Sequence, residues 1–261
     1  GLHLLRNFRA RAMIVTLASA VTGISAGPGA AVEAFRPLTI DGSSVRWKPT
    51  SPLGVTVLRY AIATTDLRRP EAINCGHTRP PDTVVTRSHI AIGAFRTATA
   101  EAFARWQRIA RLQFVEVTDQ ATADIVIGEQ AEPIGHAFTN LSLGGAPRDL
   151  TRPIVHATIC LNPQRRWKIG FDGDLTSYDL VHTLTHEIGH AIGLDHPSAR
   201  GHVMSFRYDE MHRGLTTGDV LGARSIYGAT DGWTSTDVGR DTARRAAPDA
   251  AHSDLGRGMS D

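Results

Sequence analysis

The stretch His186-Glu187-Ile188-Gly189-His190-Ala191-Ile192-Gly193-Leu194-Asp195-His196 decides how this chain is read. His186 and His190 are four residues apart. On a helix that spacing sets both side chains on one face, one turn apart, where both rings can reach one metal ion. Glu187 follows the first histidine and can contact a metal-bound water without ligating. Gly193 tolerates the left-handed backbone that ends helices, so the chain can turn back there and bring in His196 from outside the helix. Three protein ligands leave one position for water, which is the pattern of catalytic rather than structural zinc. The bland alternative is a helix with exposed histidines, but this pattern fixes five positions in eleven residues, which chance rarely supplies.

The flanks support a buried helix. Leu180, Leu184, Ile188 and Ile192 recur every four residues and form an apolar stripe. Ser177 or Thr176 suits the N-cap, with Asp179 in the first turn. His182 lies one turn before His186 on the same face. It reads as a packed or hydrogen-bonded residue, since a fourth histidine ligand would close the open position.

Upstream, residues 55–63 form a β-branched and aromatic run, an expected first strand. Residues 68–81 hold three prolines and a cysteine and read as a loop. Ile92, Phe95, Thr99, Ala102, Phe103, Trp106 and Ala110 keep helical spacing, so a long amphipathic helix is expected. Residues 112–117, 124–127 and 154–161 are strand-like, 134–138 is a further short strand, and 140–153 reads as a loop.

A net charge of +2 over 261 residues, with no basic stripe carrying interleaved aromatics, argues against nucleic acid as a partner. Arg6, Arg9 and Arg11 precede an apolar run at 12–26 that ends in small residues, the layout of a secretory signal peptide over 1–26. The run is about fifteen residues long, too short for a lasting membrane span after processing. Residues 27–44, rich in Gly, Ala and Pro, read as a linker or short pro-segment. The folded domain is expected over 45–228, with a polar, disordered tail at 229–261. In an oxidising compartment Cys75 and Cys160 would pair as a disulfide.

The zinc stretch resembles the signature of the metzincin metallopeptidases, and Met204, eight residues after His196, resembles the methionine turn of the matrixins. Tyr208 matches a tyrosine that helps wall the matrixin specificity pocket, and residues 215–228 are similar to the closing matrixin helix, in which Asp219 would bond the methionine-turn backbone. Pro197 and Val203-Met204-Ser205 are closer to the serralysins, but Phe206 stands where those carry a ligating tyrosine.

The resemblance implies an α+β zincin fold: a twisted, mostly parallel sheet, a long backing helix, an active-site helix and a small C-terminal subdomain. It implies a secreted, monomeric zinc endopeptidase acting on protein or peptide substrates, in which Glu187 is general base toward a zinc-bound water. Substrate would lie along an edge strand containing Ile134 and Gly135. His136 and His156 are similar to two ligands of a second, structural zinc, and Asp172-Gly173-Asp174 is a candidate calcium loop or an ordinary turn. Cys75-Gly76 echoes a propeptide cysteine switch, but it lies downstream of the first strand. A peptide-binding protein on the same fold with an inactive metal site is the competing expectation; retention of Glu187 speaks against it.

Overall fold

The computed structural model describes residues 33–230. The expected signal peptide, the first part of the expected linker and the tail beyond Thr230 lie outside them. The chain runs through β1 (Arg36–Pro37), β2 (Thr39–Ile40), β3 (Ser43–Arg46), β4 (Thr56–Ile62), β5 (Leu67–Arg68), β6 (His77–Arg79), α1 (Asp82–Arg87) and α2 (Ile92–Gln107). It continues through β7 (Leu112–Glu116), β8 (Ile125–Gln130), β9 (Ala137–Leu143), β10 (Thr151–Leu161), β11 (Trp167–Lys168), β12 (Tyr178–Asp179), α3 (Leu180–Ala191), β13 (Leu194–Asp195) and α4 (Thr217–Tyr227).

Strands β7, β4, β8 and β10 lie side by side and parallel, in registers such as Tyr60 with Ile125 and Ile127 with Ile159. All residues of β8 are buried, as expected of a parallel strand covered on both faces. Strand β9 runs antiparallel to β10, and among the described residues no strand pairs with its other edge. The central sheet is thus mostly parallel, and β9 is an antiparallel strand on its edge.

Helix α2 backs the sheet with Phe95, Ala98, Ala102, Phe103 and Trp106, all buried, and Phe103 stacks on Tyr60 at 4.1 Å. Truncating a fully buried Trp such as Trp106 would cost about 3–5 kcal/mol. Helix α3 presents its expected stripe of Leu180, Leu184, Ile188 and Ile192 to the core. Three hydrogen bonds from distant aromatic side chains then fix it. Trp106 Nε1 donates to Thr185 O at 2.8 Å, Trp47 Nε1 to Ala191 O at 2.8 Å and Tyr227 OH to Ile192 O at 2.7 Å. The helix that carries two of the histidines is held on several sides.

Two expectations need correction. Residues 36–44, read as linker or pro-segment, are part of the fold: β1 pairs with β13, and β2 pairs with β3, which itself pairs with β10. Strands of two residues carry no readable periodicity, so their partners alone define them. The edge strand is also displaced. It occupies 137–143 rather than 134–138, because Gly135 adopts a positive φ of 57° that breaks extended backbone just before it.

Candidate metal centre

Helix α3 is capped by Asp179, whose side chain accepts from His182 N at 2.6 Å, and not by Ser177 or Thr176. Those two residues instead bond Asp174, with Thr176 N to Oδ1 at 2.9 Å and Ser177 Oγ to Oδ2 at 3.1 Å. The helix ends at Ala191, and Gly193 follows with φ of 98°. A Cβ built on Gly193 would sit 2.4 Å from the carbonyl oxygen of Val45, so conformation and space both demand glycine. The reversed chain pairs with β1 and delivers His196 back to the helix.

The three imidazoles converge. Each pair of Nε2 atoms among His186, His190 and His196 is 3.1 Å apart. On the far side of two rings, His186 Nδ1 lies 2.7 Å from Val203 O and His190 Nδ1 2.7 Å from Leu194 O. A carbonyl only accepts, so both Nδ1 atoms carry the proton and both Nε2 atoms are bare lone pairs. Lone pairs facing one another repel unless a cation lies between them. Ligands about 2.0–2.1 Å from a tetrahedral ion stand about 3.3 Å apart, so the triad fits zinc. Burial, the largest cause, pushes each of the three rings down to about 4, which keeps them neutral and able to ligate at neutral pH. This is the single cluster of metal-ligating side chains found among the described residues.

Glu187 is buried beside the triad, and burial raises its carboxyl above the ordinary carboxylate range. Its Oε2 accepts from Thr139 Oγ1 at 2.6 Å. Met204 is buried beneath α3, where a Cβ on Gly189 would meet its sulfur at 2.1 Å. Asp219 anchors that turn, accepting from Val203 N and Met204 N, each at 3.0 Å. The same turn supplies the Val203 carbonyl that orients His186, so the floor of the site and one ligand are set together.

Other expected site residues are scattered. Tyr208 packs edge-on against Tyr178 and His182, and its hydroxyl donates to Glu210 at 2.7 Å while accepting from Asp179 N at 2.9 Å. Ile134, exposed, and Gly135 precede the edge strand rather than forming it. His136 and His156 do not meet: Leu161 pairs with Ala137 while His156 pairs with Ser142, so the two histidines sit several rungs apart along β9 and β10. A shared second zinc is therefore corrected. Asp172 pairs with Lys168, and Asp174 bonds Thr176 and Ser177, so Asp172-Gly173-Asp174 forms a hydrogen-bonded turn. Cys75 and Cys160 are joined, with S–S at 2.00 Å, which removes Cys75 from any switch.

Sequence reasoning missed Thr139, having placed the strand too early. The polar–apolar alternation of Asn140, Leu141, Ser142 and Leu143 was the usable signal for the strand, though it does not extend to Thr139. It also missed Glu210, whose buried carboxylate receives Lys168, Gly173 N and Tyr208 OH; nothing local in the sequence marks it.

Residues 83–228, more than half of the chain, match the family model described as Matrixin. The chain is a matrixin. Similar proteins include Metalloendoproteinase 1-MMP of Arabidopsis thaliana, 32% identical over 140 residues, covering 51% of this chain and 38% of the relative. Matrix metalloproteinase-23 of Homo sapiens is 28% identical over 150 residues, covering 52% of this chain and 38% of the relative. Karilysin of Tannerella forsythia is 26% identical over 154 residues, covering 54% of this chain and 30% of the relative. This matrixin thus spans well under half the length of these relatives. Matrixins are zinc-dependent metallopeptidases, and the triad of His186, His190 and His196 is where this one could hold zinc.

Proposed function

We propose that this matrixin is a secreted, monomeric zinc endopeptidase, with residues 1–26 as its export signal. The observation that carries the reading is the mutual 3.1 Å approach of three imidazole nitrogens beside a buried carboxylate. His186, His190 and His196 would hold the ion. Zinc bound there would lower the pKa of a water and polarise a carbonyl. Glu187 takes a proton from the attacking water and returns it to the amine nitrogen as the C–N bond breaks. The raised carboxyl suits a group that must both accept and release a proton. The unpaired edge of β9 suits an extended peptide adding as a further strand, with the polypeptide running past Glu187. Tyr208 stands one aromatic contact from α3 and would wall a side-chain pocket.

The test uses protein recovered from the culture medium of a secreting host. It should bind zinc and cut a peptide library at internal bonds. Glu187→Ala should keep its zinc and lose about 10²–10⁴-fold in kcat/KM. A folded, zinc-loaded protein that cleaves nothing, or an unaffected Glu187→Ala, would overturn the enzymatic reading. Retention of the full chain inside the host would overturn export.

A further inference from the structure

We propose that Thr139 is a positioning residue for Glu187, so that the strand expected to receive substrate also sets the orientation of the base. The inference rests on the reading of Glu187 as general base. Thr139 is the third residue of β9 and pairs with Ile159 of β10. From that free-edge strand its Oγ1 reaches α3, 2.6 Å from Glu187 Oε2 and 2.9 Å from the Glu187 carbonyl oxygen. A hydroxyl has one proton to donate, and the shorter contact to a carboxylate is the charge-assisted one. Among the described residues Oε2 has no other protein donor, and Oε1 has no protein partner at all. Thr139 therefore ties down one carboxylate oxygen and leaves the second for the reacting water. The donor is itself held firmly. Its β-branched side chain has few rotamers, and its backbone is locked in the β9–β10 ladder.

The bond needs a donor at this point for a physical reason. A buried carboxylate without a partner is costly and would turn to find one. Near the triad, such a turn would carry Oε1 away from the place where a water must give up its proton. Misplacing a reacting group by about 1 Å can cost on the order of 10²-fold in rate while ground-state binding hardly changes. The competing interpretation is that Thr139 merely staples β9 to α3. That role would show in stability and in peptide binding rather than in turnover.

Thr139→Val keeps shape and branching and removes the donor; Thr139→Ser keeps the donor. In the zinc-loaded enzyme Thr139→Val should lower kcat about 10–100-fold with KM nearly unchanged, and Thr139→Ser should recover most of it. Thr139→Ala serves where Thr139→Val folds poorly and should show the same split. Zinc content should match the parent in every variant. Adding Thr139→Val to Glu187→Ala should leave the affinity for an uncleaved peptide unchanged. Unaltered kcat in Thr139→Val, equal damage in Thr139→Ser, or a loss confined to KM and peptide affinity would overturn the proposal. An inactive parent, or an active Glu187→Ala, would instead bring down the reading beneath it.

Discussion

The helix-and-turn region at 179–204 and the edge strip at 134–143 meet where the Thr139 hydroxyl reaches Glu187, yet they arise from different physics. In the first, covalent spacing does nearly everything. Histidines four apart on a helix must share a face, and a glycine three residues later must let the chain reverse. In the second, position is set by pairing with β10, whose partner residues lie 11 (Leu143 with Ile154) to 24 (Ala137 with Leu161) positions away in sequence. Local spacing resists small errors of register. Strand pairing does not, because a shift of one residue turns each side chain to the opposite face.

Removing the Cys75–Cys160 link is the largest test of that contrast. The bond ties the loop before β6 to the end of β10, and Cys160 pairs with Phe138 next to Thr139. It closes a separation of 85 residues. The double change Cys75→Ser, Cys160→Ser should lower unfolding free energy by about 2–4 kcal/mol in denaturant titrations. Zinc affinity should hold, because none of the three ligands touches the link. If zinc affinity falls as steeply as stability, the two regions are one unit and the contrast breaks.

A smaller loss is expected on the other side. Gly193→Ala forces a side chain into a left-handed backbone and toward the Val45 carbonyl. About 2–3 kcal/mol of stability should go, from strain and overpacking together. Here zinc affinity should fall as well, because Gly193 delivers His196. Isothermal titration of the zinc-stripped variant separates this from the disulfide pair: weakened metal binding is expected for Gly193→Ala alone.

How much of this could be read in advance follows the same division. The triad, the stripe of Leu180, Leu184, Ile188 and Ile192, the long helix α2 and the central strands were legible, because each is a periodic run whose period survives folding. Asp219 bonding to the methionine turn came from family likeness and not from any local pattern. The N-cap was misassigned because Thr176, Ser177 and Asp179 are all good capping residues, and Asp174 draws the first two into its own turn. β1 and β2 were invisible because two residues hold no period, and β1 contains Pro37. The supposed pairing of His136 with His156 failed on register, which only the β9–β10 ladder reveals.

The smallest expected effect compares, under acid, buried His182 on α3 with half-buried His156 on β10, the strand that pairs with the edge strip. His182 on α3 is pushed down to about 3, first by burial and then by the charges of His186 and Arg105. His156 on β10 is pushed down to about 4, first by burial and then by Arg69, and its Nδ1 is buried without a partner. In the unfolded chain both titrate near the ordinary value of about 6.5. Below that pH the unfolded chain takes up protons that the folded protein refuses, so stability falls as pH falls. The loss begins near 6.5 and ends near 4 for His156 and near 3 for His182. The slope is at most about 1.4 kcal/mol per pH unit for either residue, and for His182 it persists further into acid. Thermal unfolding of zinc-free protein at about pH 7, about pH 4 and about pH 3 separates the two, because each stops refusing protons only at its own folded value. The ligand histidines contribute alike to parent and variants, so His182→Leu should flatten the acid loss more than His156→Leu. Equal flattening would mean that burial on the helix side and on the sheet side weighs the same, and an unchanged slope in both would mean that neither histidine is held neutral by the fold.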